Sequence, residues 1–124
     1  MNFDYTPEFE KDVKRLGKKW RSIPKDIEAT KKYITPLYEI RANDVEIEVY
    51  RRNFLNGKSA TILQTGEGYE VVKMRLDVAD LGRSDKVRIV FIAIKTETAI
   101  RFIELYAKNE QSREDVQRIK KYLP

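Results

Sequence analysis

Three short segments carry charge at a spacing of two. In VKMRL (72–76) Lys73 and Arg75 stand two residues apart, and KVRIVF (86–91) sets Arg88 between valine and isoleucine. ELYAKNE (104–110) brings Glu104, Tyr106 and Lys108 at the same interval. Alternate side chains of a strand point to opposite faces, so Lys73 and Arg75 share one face while Val72, Met74 and Leu76 share the other. Hairpin turns near Thr96–Thr98 and Leu81–Gly82 would put Arg88 opposite Tyr106, Arg75 opposite Arg88, and Lys73 opposite Val90. Met74, Leu76, Val87, Ile89, Phe91, Ile103 and Leu105 then fall on one face, the natural seat for helices. The opposite face collects Lys73, Arg75, Arg88, Tyr106 and Lys108, with Glu104 placed to pair with a neighbouring cation.

Four cations on one sheet face repel one another unless an anion arrives. A phosphodiester would offset that repulsion: cations position its oxygens and stabilise the charge that develops during transfer. The face is then either a nucleic-acid groove without chemistry or a nuclease working without metal. Taken singly, the same residues are solvated strand positions whose exposed salt bridges contribute about 0–1 kcal/mol each. The chain contains neither cysteine nor histidine, which excludes disulfides, thiolate chemistry, a histidine base and a structural zinc site. Any chemistry rests on Lys, Arg, Tyr, Asp, Glu, Ser or Thr, and no cofactor or metal is expected.

The elements that must hold these residues follow from period and punctuation. Asn2–Tyr5 predicts a short strand. Thr6-Pro7-Glu8 reads as a helix start, with Thr6 as N-cap and Pro7 in the first turn. Phe9, Val13, Leu16 and Trp20 then form an apolar stripe at helical spacing. Ser22-Ile23-Pro24 breaks that helix, and Pro24 opens a second with Ile27, Tyr33 and Ile34 inward, stopped by Thr35-Pro36. Val45, Ile47 and Val49 alternate with Glu46, Glu48 and Tyr50, which predicts a strand. Asn56-Gly57 is a two-residue hairpin signal, with Ala60–Leu63 returning from it. Gly66 and Gly68 mark another turn. Strands are predicted at about 69–76, 86–95 and 99–107, separated by turns at Gly82-Arg83-Ser84-Asp85 and at Thr96–Thr98. Ser112-Arg113-Glu114-Asp115 reads as a capping-box variant opening a last helix through Val116, Ile119 and Leu123. The order gives an α+β fold: an N-terminal strand and helical hairpin packed on one side of an antiparallel sheet, then a short C-terminal helix.

The 124 residues suit one domain, 1–124, with an extra hairpin at about 45–65. Net charge is +5, and residues 11–32 alone carry nine Lys and Arg against three Asp and Glu. That local surplus of six suits a polyanion or an acidic protein partner, or else a solvated helix surface. No apolar run approaches the roughly 20 residues needed to cross a bilayer. The N-terminus lacks the pattern of a signal peptide, so a cytoplasmic protein with no membrane partner is expected.

FDYTPEFEKDVKRLGKKWRSIPKDIEATKKYI resembles the N-terminal helical hairpin of the RelE/ParE superfamily of bacterial toxins, especially its RelE- and HigB-like members. VKMRL, KVRIVFIAI and FIELYAKNEQ resemble, in that order, the strands and terminal basic segment of the same family. The resemblance covers most of residues 2–37 and 69–123. It implies a microbial-RNase-type fold and a toxin of a type II toxin–antitoxin pair. It also implies an endoribonuclease, an mRNA interferase, that cleaves messenger RNA on the ribosome without metal. In that chemistry the RNA's own 2′-hydroxyl attacks the adjacent phosphate while basic side chains hold the phosphate and assist proton transfer. Carried over by position, Lys73, Arg75 and Arg88 match the family's strand cations, and Lys108 the basic position after the last strand. Glu110 falls where some members carry an acidic residue, a candidate general base. Tyr106 either meets RNA, through its ring or its hydroxyl, or is a buried sheet tyrosine. Lys14, Lys18 and Lys19 on the first helix are candidate RNA contacts.

Two features depart from the pattern. Members that use a C-terminal tyrosine carry it a few residues past the basic segment, where this chain has Asp115 and its neighbours. Tyr122 belongs to the last helix, so catalysis would rest on Lys, Arg and Glu. Residues 38–68 are longer than the usual connection. Arg51, Arg52 and Lys58 within them either extend a ribosomal RNA contact or belong to a segment that widens the sheet or makes a dimer. The implied partners are a cognate antitoxin from an adjacent gene, the ribosome and mRNA. The competing reading is a non-enzymatic toxin or binding module of the same fold, either a ParE-like gyrase inhibitor or a catalytically degenerate member.

Overall fold

The computed structural model describes residues 1–39, 45–55 (backbone alone at 45–48 and 50), 57–82 and 86–124. Strand β1 (Asn2–Tyr5) leads into helices α1 (Pro7–Lys19), α2 (Ile23–Tyr38) and α3 (Val45–Leu55). Strands β2 (Ala60–Gly66), β3 (Tyr69–Leu76), β4 (Val87–Ile94) and β5 (Ala99–Ala107) follow, and helix α4 (Val116–Tyr122) ends the chain. The fold is α+β, with one five-stranded sheet in the order β1-β5-β4-β3-β2. The sheet is mixed rather than antiparallel, because β1 runs parallel to β5. None of the described helices is long and apolar enough to cross a membrane.

Thr6 caps α1 as its sequence predicts, its hydroxyl accepting from the Phe9 amide at 3.2 Å and donating to the Phe102 carbonyl at 3.1 Å. One side chain therefore starts the helix and ties it to the sheet. Phe9, Leu16 and Trp20 are buried on the sheet, joined from α2 by Ile23, Ile27 and Ile34. Phe102 centres this core, with ring centroids of Phe9, Tyr5, Phe3 and Phe91 between 5.2 and 6.1 Å away. Such offset and edge-on pairs add to the area they bury.

Four expectations need correction here. Tyr33 is 61% exposed rather than inward, and α2 runs through Pro36 to Tyr38. The interruption is small because it falls in the last turn, where Thr35 donates its hydroxyl to the Lys31 carbonyl at 2.8 Å. Residues 45–55 form a helix, so the extra hairpin at 45–65 is not there. The hairpin that does form joins β2 to β3 through Glu67-Gly68, with Gly68 at φ +75°, a conformation glycine adopts without strain. Asn56 and residues 83–85 lie outside the described residues. Finally, α4 packs on the face opposite α1 and α2: Ile119, Tyr122 and Leu123 join Ile103, Ile94 and Ala99 in a second apolar cluster.

Register decides which side chains share a face. Arg75 pairs with Arg88, Lys73 with Val90, and Arg88 with Tyr106, as alternation predicts. Between Val90 and Phe91 the β4–β5 register slips, so that Val90 faces Glu104 and Phe91 faces Phe102. The extra residue, Ile103, lies in the second cluster and not with the helices. This bulge inverts the parity of β5. Ile103 thereby joins Glu104 and Tyr106 on the cationic face, while Phe102 and Leu105 both stay on the helical one.

Beyond Phe102, β5 has lost β1 as a neighbour and would present bare backbone groups. Asp12 of α1 accepts from the Leu105 amide at 3.0 Å, and Arg118 of α4 donates to the Ile103 carbonyl at 3.2 Å. The two side chains also bond each other at 2.6 Å. An ion pair thus covers the edge that a sixth strand would otherwise find.

Candidate functional site

Two rows of side chains cross the face opposite α1 and α2. One runs Arg75, Arg88, Tyr106 across β3, β4 and β5. The other runs Lys73, Val90, Glu104. Sequence and structure agree on this grouping, because Val72–Leu76 alternates in β3 and the observed pairing sets Arg88, the one charge of β4, opposite Arg75. Lys73 and Arg75 are half-buried and Arg88 is 9% exposed. Two arginines directly opposite in a ladder repel each other. Among the described residues no carboxylate lies within ion-pair distance of Arg75. Arg88 donates to its own residue's neighbour, the Val87 carbonyl, at 3.4 Å.

Lys108 follows Tyr106 by two residues, and its amide donates to the Lys86 carbonyl at 2.7 Å, extending the ladder. It is exposed at the rim, and no described carboxylate pairs with it. Glu110 goes elsewhere. The turn after Lys108 bonds the Glu110 amide to the Ala107 carbonyl and sends the carboxylate to α1, where it meets Arg15 at 2.5 Å and Lys19 at 4.0 Å. The expected general base is therefore not among the strand cations.

Another carboxylate is. Glu114, its side chain 8% exposed, accepts from Lys73 Nζ at 2.9 Å, with Arg113 at 3.7 Å. Buried Glu104 accepts from the Asp115 amide at 2.8 Å and from Gln111 Nε2 at 2.9 Å, fixing the loop on either side of Glu114. Asp115, not Ser112, caps α4, accepting from the Arg118 amide at 3.1 Å. The helix starts later than the capping-box pattern suggests, and this frees Glu114 to lie over the sheet. Its signal was an acid beside a basic strand face, which the cap reading absorbed.

Burial alone would push the Glu114 carboxyl up, but the Lys73 hydrogen bond and nearby charges carry it below the usual carboxylate range. Burial likewise pushes the Tyr106 phenol up, to about 12; Glu114 and Glu104 add to the effect and Arg88 opposes it. Tyr106 is 2% exposed, so its ring is sheet core and cannot stack on a base as it stands.

The other expected contacts divide. Lys14 and Lys18 are exposed on α1, while Lys19 lies 4.8 Å from the Trp20 ring centroid as well as near Glu110. They belong to the helical layer, on the other side of the sheet from Arg75 and Arg88. Arg51 is not a surface contact: with Lys95 at 2.8 Å and Tyr38 at 2.9 Å, it converges on buried Glu70, tying α2 and α3 to the sheet. Desolvation by burial, and then Glu70, push the Tyr38 phenol up. Arg52 remains exposed. An open cleft of about 940 Å³ between α2, α3 and the end of β3 reaches Arg75 but none of the other strand cations. Among the described residues no group of three or more Asp or Glu converges to hold a metal.

No family model matches the chain, and no curated protein or solved structure shows significant similarity to it.

Proposed function

We propose that the protein is a RelE-like toxin of a type II toxin–antitoxin pair, a metal-independent endoribonuclease that cleaves mRNA on the ribosome. The observation that carries this reading is the cross-strand pair Arg75 and Arg88 beside Lys73, with Lys108 at the rim. The repulsion in such an arrangement is relieved by a phosphate. The cations would hold the non-bridging oxygens of the scissile group and stabilise the extra charge as the 2′-oxygen attacks. Exposed Lys14 and Lys18 on the far side of the sheet would meet other phosphates, an attraction that weakens with salt. A single strand lying on the sheet face does not reach them, so the two surfaces fit an RNA assembly that presents phosphates to both. A cognate antitoxin would cover one or both basic surfaces.

A second reading has its own observation. Glu110 is bound to α1 and Lys73 is already paired with Glu114, which suits a non-enzymatic toxin of the same fold, such as a gyrase inhibitor. Induced expression in a bacterial host separates the two. The ribonuclease reading expects growth arrest with cut messages and intact DNA, and loss of arrest in Arg75→Ala and Lys108→Ala proteins that still fold. DNA damage without message cleavage, or full arrest by both variants, would contradict it. The adjacent open reading frame should encode the antitoxin.

A further inference from the structure

We infer that Glu114 is the group that takes the proton from the attacking 2′-hydroxyl, with Lys73 and Glu104 as its positioning residues. The inference rests on the ribonuclease reading and supplies the base that Glu110, turned to α1, cannot be.

The placement argues for it. Glu114 is the one described carboxylate bonded to a cation of the strand cluster, through Lys73 of β3 at 2.9 Å. The groups facing it are Lys73, Tyr106 of β5 and Arg113 of its own loop, with Arg88 and Glu104 beside Tyr106. Its position is also held from below. Glu104 is 2% exposed and grips the loop at Gln111 and at the Asp115 amide, the residue next to Glu114. Glu104 lies opposite Val90 in the same register that sets Tyr106 opposite Arg88. A surface ion pair would not need a buried carboxylate beneath its loop. The two acids thus have separate tasks, one structural and fully committed, the other held by a lysine that can exchange partners.

That exchange makes the chemistry work. In the free protein the Lys73 ammonium keeps Glu114 ionised. When a phosphate arrives, Lys73 can turn to its oxygens, leaving Glu114 beside an anion and without its cation, so its proton affinity rises where a base is needed. The 2′-oxygen then forms a bond to phosphorus and passes its proton to Glu114. The bond from phosphorus to the 5′-oxygen breaks, and that oxygen takes a proton from water. The products are a 2′,3′-cyclic phosphate and a 5′-hydroxyl, and Glu114 returns its proton to solvent.

The test is single-turnover cleavage of a synthetic message on purified bacterial ribosomes, between about pH 5.5 and 8.5. Glu114→Gln should slow the wild-type rate about 100-fold or more and flatten its rise with pH. Its affinity for a message with a 2′-deoxy residue at the cut site should be unchanged or tighter, since Lys73 is no longer neutralised. Glu97→Gln, in the exposed β4–β5 turn, should cut as the wild type does. A Glu114→Gln rate within about threefold of wild type, against the expected acid–base contribution, overturns the assignment. Should that variant unfold, Glu114→Asp decides: a rate at least about tenfold lower with an unchanged melting temperature supports the role, and an unchanged rate overturns it. A wild type that cuts nothing overturns the ribonuclease reading and this inference together; a wild type that cuts while Glu114→Gln cuts equally well overturns only the latter.

Discussion

Arg75 lies directly opposite Arg88 in the β3–β4 ladder, two guanidinium groups on one sheet face with no strand between them. Like charges so placed destabilise a sheet by up to about 1 kcal/mol. Arg75→Gln is therefore expected to be as stable as the wild type or more stable by up to about that amount, measured by urea denaturation. A loss of stability well beyond this would mean that the arginine is held by an internal partner, and the case for an arriving anion would weaken.

Glu110 gives the opposite expectation from its place in the sequence. Its carboxylate is shared between Arg15 and Lys19, all three substantially exposed. Glu110→Gln should change cleavage of ribosome-bound message by less than about threefold and stability by less than about 1 kcal/mol. A collapse in cleavage rate would return Glu110 to the chemistry and displace Glu114.

The edge of β5 depends on Asp12. Its replacement by alanine removes the acceptor of the Leu105 amide and strands the part-buried Arg118 guanidinium. Asp12→Ala is expected to cost about 3 kcal/mol or more, read from the urea midpoint at constant slope. A cost near zero would show that water seals that edge as well as the ion pair does.

Acid should loosen α4 first. Glu8 of α1 accepts from the Tyr122 hydroxyl and from Lys121 at 3.1 Å, and chiefly through Tyr122 its carboxyl falls from 4.5 to about 2. A carboxyl lowered by folding stabilises the fold fully above its unfolded value, and that stabilisation disappears as pH falls through the folded one. The melting temperature of the wild type should therefore exceed that of Tyr122→Phe above about pH 4.5, and the gap should close toward pH 2. A gap that persists unchanged at acid pH would contradict the link between Glu8 and α4.

Much of the cationic face could be read before any coordinates. Apolar and charged residues alternate from Val72 to Leu76 in β3, and Arg88 is the single charge of β4, so the turn between the two strands sets which face the three cations share. Thr6-Pro7-Glu8 carried its own helix start. What escaped depends on tertiary partners. Val45, Ile47 and Val49 alternate with polar neighbours over a stretch short enough to fit a strand. The helix there is anchored further on, by buried Leu55 and by Arg51 on Glu70, a carboxylate that must find a cation once it is inside. The bulge at Ile103 is invisible to alternation, since both neighbouring residues look acceptable on either face. Glu114 was hidden by a capping pattern that fitted a helix three residues too early.

The central claim, that Arg75, Arg88, Lys73 and Lys108 hold a scissile phosphate, is tested most directly by primer extension of a message cleaved on purified ribosomes, with the new 3′ end of the upstream fragment read by mass spectrometry. The wild type should cut with a 2′,3′-cyclic phosphate on the upstream fragment, and Arg75→Ala and Lys108→Ala, folded by circular dichroism, should leave the message whole. An uncut message with the wild type, or cutting undiminished in both variants, would contradict it.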